Sequence, residues 1–170
     1  MPPKTPKDVF LMMLSNVRKN TERAGKIYDE IGKAAEEPEI KQVLEARGFA
    51  TNQILAKIDE CFRLIGEKPV DVPTHIHDMF VEDFRKEYKE IELPVAKRLF
   101  VLMKLRHLAH LRVGEYVALI EAADVAGHHG VGLLLETCLA DKLAFVERTK
   151  RLIRKVAEHK VIEKVATARA

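Results

Sequence analysis

The chain has 170 residues, with 29 Lys and Arg against 26 Asp and Glu, a net charge of +3. That balance is too weak to argue for a nucleic-acid partner, and no apolar run approaches the roughly 18 residues of a membrane span. A 47% hydrophobic content, 32% charge and no tryptophan suit a helical bundle with solvated outer faces.

The first helix is expected over Pro6 to Ala35. Thr5 is a good N-cap, Pro6 fits the first helical position and Asp8 suits the positive helix end. Its apolar stripe is Phe10, Leu14, Val17, Ala24, Tyr28 and Ile31, with Thr21 filling the gap. Gly25 suggests a close helix approach. A break at Glu36-Glu37-Pro38 leads to a second helix over Pro38 to Ile65. Its stripe, Ile40, Val43, Leu44, Ile54, Ile58, Cys61, Phe62 and Ile65, has Arg47 and Ala50 at its middle. Gly66 stops this helix, and Pro69 and Pro73 hold a linker.

Thr74 can cap a short third helix reaching about Tyr88, with a face of Ile76, Met79, Phe80, Phe84 and Tyr88. After Pro94, the stretch Val95 to Ala126 runs on without proline. Its stripe is Val101, Leu105, Leu108, Tyr116, Leu119 and Ala123, and Arg112 stands where the spacing demands a core residue. Leu102, Leu111, Val113, Val117 and Ile120 lie off that stripe, so this central helix needs cover on more than one side. A turn at Gly127–Gly130 precedes a last helix from Val131 to Val161 or beyond, fraying after about Glu163. Its stripe is Val131, Leu134, Leu135, Cys138, Asp141, Phe145, Leu152 and Val156, with Asp141 as the inward polar residue.

The fold class is therefore all-α: four helices of roughly 28 to 32 residues, about 40–48 Å each, with a short extra helix in the middle connection. That arrangement is ferritin-like rather than simple up-and-down. The chain reads as one domain over 1–170, soluble and cytoplasmic. The apolar run after the basic start MPPKTPK is too short for a signal peptide. Cys61 and Cys138 fall on apolar stripes and read as buried reduced thiols.

The motifs TPKDVFLMML, PEIKQVLE, CFRLIGEKP, the pair His110 and Tyr116, and LLLETCL occur in order along nearly the whole chain. By them the sequence resembles the YciE/YciF-type ferritin-like family, whose bacterial members are stress-associated. The resemblance implies inward carboxylates and histidines holding two metal ions at mid-height. This chain departs from that set. Thr21 stands for a glutamate, with Glu22 one step away. Arg47 and Ala50 stand for a His-x-x-Glu-like pair, and Ala109 and Arg112 for two glutamates. Asp141 remains, between Ala140 and Ala144.

Guanidinium offers a metal no lone pair and repels it. No metal or other cofactor is expected, and the polar layer of Thr21, Arg47, Arg112 and Asp141 reads as a buried cluster. Asp141 is the first partner for the arginines, ahead of Glu22, Glu115 and Glu136. The expected function is a non-catalytic, stress-associated or structural protein acting through protein contacts. Apolar residues off the stripes (Leu11, Met12) suggest a homodimer, and an unidentified protein partner fits the same reading. One alternative is a di-iron carboxylate oxidase or peroxide-consuming protein with substitute ligands Glu22, His110, Glu136 and Asp141. Another is an anion or small-molecule carrier using the arginines.

The remaining constellations have plainer readings. His107 and His110 lie three apart without a third ligand. His75 with His77, and His128 with His129, read as solvated turns. There is no C-x-x-C pair, phosphate loop or nucleophile elbow, so an enzyme is not expected.

Overall fold

The computed structural model describes residues 3–35, 37–73 and 75–167, with side chains up to 158. Five helices follow in order: α1 (Pro6–Ala34), α2 (Pro38–Ile65), α3 (His75–Glu90), α4 (Pro94–Val125) and α5 (His129–Thr167). Glu36 of the expected break and the Thr74 cap lie outside the described residues. The last helix starts at His129, inside the expected turn, and runs beyond Val161 to Thr167.

Local chemistry sets the ends. Thr5 and Asp8 form a capping box: the Asp8 backbone N–H donates to Thr5 Oγ1 at 3.2 Å, and the Thr5 N–H donates to Asp8 Oδ2 at 2.9 Å. Gly66 closes α2 at φ 71°, and Gly127 takes φ 80° in the α4–α5 turn, both in the left-handed region that glycine enters freely. At Gly25 a Cβ would stand 3.4 Å from Thr51 Cγ2, so α1 and α2 do pack closely there.

The four long helices form a ring in the order α1, α2, α5, α4. One apolar cluster joins Phe10 and Leu14 of α1 to Ile58 and Phe62 of α2, Leu119 of α4 and Val131 of α5. A second joins Tyr28 and Ile31 of α1 to Ile40 and Leu44 of α2, Leu102 of α4 and Leu152 of α5. The ends so gathered make every neighbouring pair antiparallel and leave α2 and α4 parallel across the diagonal. Short loops close the α1–α2 and α4–α5 hairpins. The long α2–α4 crossover carries α3, which packs on α1 and α4 and completes the ferritin-like arrangement.

α3 packs through Phe80, Phe84 and Tyr88 of its expected face but not through the two residues of its first turn. Ile76 and Met79 are exposed, and His77 and Phe84 are its buried residues. Phe84, Tyr88 and Phe100 form a cluster of three rings, with centroids 5.6, 5.7 and 6.4 Å apart pairwise, which holds α3 against α4.

Candidate functional site, a cationic layer at mid-height

The two apolar clusters are separated by a polar level to which each long helix contributes. On α1 it is Thr21, between Val17 and Ala24; on α2, Arg47 and Thr51, between Leu44 and Ile54. On α4 it is Arg112, between Ala109 and Tyr116; on α5, Lys142, between Cys138 and Phe145. Arg47, Arg112 and Lys142 are 5%, 1% and 2% exposed. Three basic side chains thus occupy the interior of one short segment of the bundle.

Arg112 is the best satisfied. Its Nη1 pairs with Glu115 on the next turn of its own helix. Its Nη2 donates to the Val17 carbonyl at 3.1 Å and to Thr21 Oγ1 at 2.5 Å. Thr21 in turn donates to the Val17 carbonyl at 2.7 Å. Glu115 also accepts from Asn20 Nδ2 at 2.8 Å. Burial pushes the Glu115 carboxyl above its usual range, against the pull of Arg112, Asn20 and Lys142. Desolvation therefore outweighs attraction here, as is common for buried ion pairs.

Arg47 has no ion pair among the described residues. Its guanidinium carbon lies 5.5 Å from the Tyr28 ring centre and 5.2 Å from that of Phe145, so two aromatic faces hold it. Lys142 Nζ sits 4.5 Å from the Tyr116 ring centre, and the Arg112 guanidinium 5.6 Å from the same ring. Burial, with Arg47 and Arg112 nearby, drives the Lys142 amine well below its ordinary value. Burial likewise raises the Tyr116 phenol to about 12.

Asp141 is not part of this layer. Its side chain is 46% exposed and meets Lys57 at 3.7 Å on the surface. Cys138 and Phe145 are seven residues apart, so spacing alone permits an inward residue after three steps or after four. The continuing series Cys138, Lys142, Phe145, Thr149, Leu152 is the buried one. The charge of lysine argues against an inward position in the sequence, although its long stem is mostly apolar.

The expected carboxylate partner is corrected in the same way: Glu115, not Asp141, meets Arg112. The three-residue spacing on α4 is the signal that could have found it. Asn20 is a further member that the sequence does not single out, and His77, expected in a solvated turn, is instead buried on α3 beside the layer. Burial, with Arg112 close by, lowers the His77 imidazole to about 4.

The substitute metal ligands do not converge. Glu22 pairs with Arg18 at 2.7 Å on the surface. His110 is exposed, with Nδ1 2.8 Å from the Arg106 carbonyl. Glu136 is exposed on α5. Among the described residues, no three His, Cys, Asp or Glu side chains gather at one point. The mid-height layer presents two guanidinium groups, an amine, the single imidazole of His77 and one carboxylate already engaged by Arg112 and Asn20 among the described residues. That donor set does not fit a dinuclear carboxylate centre, which needs several hard oxygen ligands and imidazoles. Among the described residues, no helix is long and apolar enough to cross a membrane.

The fold is similar to that of the Escherichia coli stress protein YciF, with a TM-score of 0.86 and 16% identity over 92% of this chain and 99% of that one. YcfI of Rhodopseudomonas palustris aligns with a TM-score of 0.82 and 20% identity over 86% and 94% of the two chains. A protein of Xanthomonas campestris aligns with a TM-score of 0.71 and 15% identity over 94% and 99%. Identities this low establish likeness of fold alone. No curated protein matches the sequence. The profile of the family described as a domain of unknown function, DUF892, matches residues 5–165. The chain therefore belongs to the DUF892 family and has its helices arranged as a ferritin-like bundle.

Proposed function

We propose that this protein is a non-catalytic, stress-associated or structural member of its family that acts through protein contacts, as a homodimer in the cytoplasm. The observation that carries this reading is the cationic layer. Arg47, Arg112 and Lys142 occupy the inward mid-height positions where a bundle of this kind places metal-binding carboxylates. A metal ion there would meet positive charge instead of oxygen donors. The description of YciF as a stress protein, and of YcfI as a proposed structural protein, supports the cellular side of the reading. Exposed apolar residues along one side of α4 (Leu99, Met103, Val117 and Val125) support association between chains.

Catalysis is tested directly. Ferrous iron added to the protein in air should oxidise no faster than iron in buffer, and no oxo-bridged absorption should develop. Accelerated oxidation would mean that a working di-iron site exists. Assembly is tested by light scattering at micromolar concentration. The mass expected is twice that of the 19.3 kDa chain, and a monomer mass would count against the dimer.

A further inference from the structure

The cationic layer has more donors than the protein fills. Among the described residues, Arg47 Nε, Arg112 Nε and Lys142 Nζ are each buried without a hydrogen-bond partner. They come from α2, α4 and α5. Among the described residues one carboxylate, Glu115, stands against them, and it is already shared between Arg112 and Asn20. Around them lie the rings of Tyr28, Tyr116 and Phe145, which cover charge without neutralising it. Neighbouring buried cations repel one another, and a buried donor without an acceptor is costly.

We propose that the layer binds one small monovalent anion of chloride size between Arg47, Arg112 and Lys142. Exposures of 5%, 1% and 2% at these residues favour a monatomic ion that sheds its water over a bulky carboxylate or phosphate. The bound anion accepts from the free nitrogens and offsets the excess positive charge, which allows Lys142 to keep its proton. The layer comes nearer to solvent at Glu115, whose side chain is 20% exposed against 1% for Arg112 beside it. The inference rests on the reading that no dinuclear metal centre occupies the layer.

The test is a thermal unfolding series in sodium gluconate, with gluconate replaced stepwise by chloride at constant ionic strength so that screening stays fixed. The wild-type midpoint should rise saturably, by about 4 °C. Bromide should reproduce the rise, and Lys142→Met should lose it. If Lys142→Met does not fold, chloride-35 line broadening by the wild-type protein, displaced by bromide, decides the same question. Equal wild-type midpoints in the two salts, an undiminished rise in Lys142→Met, or no displaceable broadening overturns the anion site. Iron measured in the same preparation separates the two failures. Chloride indifference in iron-free protein removes the anion site alone, whereas two irons per chain removes the reading beneath it.

Discussion

Glu115→Ala should destabilise the protein by about 3–5 kcal/mol in a denaturant titration, the range for stripping one partner from a buried ion pair. Arg112 is 1% exposed, and Glu115 is the carboxylate that meets it. Without Glu115 the guanidinium keeps its hydrogen bonds to Val17 and Thr21 but has no counter-charge, with Lys142 and Arg47 nearby. The raised Glu115 carboxyl makes a second expectation. Because burial already works against its charge, replacing both partners by apolar residues, Arg112→Met with Glu115→Leu, should cost less than Glu115→Ala alone. Asp141→Ala is the contrasting variant. Its partner Lys57 lies 3.7 Å away at the surface, so its loss should stay below about 1 kcal/mol. A Glu115→Ala loss as small as that of Asp141→Ala would mean that the layer is not closed from water.

Lys142→Met should stabilise the protein at pH 7 in chloride-free buffer, by about 1–3 kcal/mol, the cost of a buried donor left without a partner. The stem is replaced by one of similar length, and packing against Tyr116 is kept. The sign of the pH dependence follows from the lowered amine. In the unfolded chain Lys142 titrates near its ordinary value of 10.5, whereas in the fold burial and the two arginines hold it well below that. Between those two values the unfolded chain carries the extra proton, so wild-type stability rises with pH across that window. The advantage of Lys142→Met should therefore shrink as pH is raised from 7 towards 10, by at most about 1.4 kcal/mol per pH unit. Taking the difference between variant and wild type cancels the other titrating groups. An advantage that is constant with pH would show that the Lys142 amine is not lowered in the folded protein.

Helix periodicity carries most of the architecture. Thr5, Pro6 and Asp8 mark the start of α1, Gly66 the end of α2, and Gly127 the last turn, because caps and left-handed turns depend on near neighbours in the sequence. The depths of Thr21, Arg47 and Arg112 are legible too, since each interrupts an otherwise apolar stripe. What the sequence leaves open is where spacing permits two answers. Asp141 and Lys142 fit the same seven-residue interval, and the packing of Phe145 against Tyr28 accompanies the turn that brings Lys142 inward. The first turn of α3 is equally open. Its pattern rightly places Phe80, Phe84 and Tyr88 on the packed side, but at the first turn it points to Ile76 and Met79, where His77 is buried instead. Partners across the layer, such as Asn20 with Glu115, are 95 residues apart, and no local pattern announces them.

If the mid-height level of this bundle is a cationic layer and not a metal centre, the purified protein should be nearly free of transition metals. Elemental analysis of protein purified without chelators or a histidine tag, expressed per chain, measures this. Iron and manganese are expected well below one ion per chain. Two ions per chain, retained through gel filtration, would contradict the cationic layer.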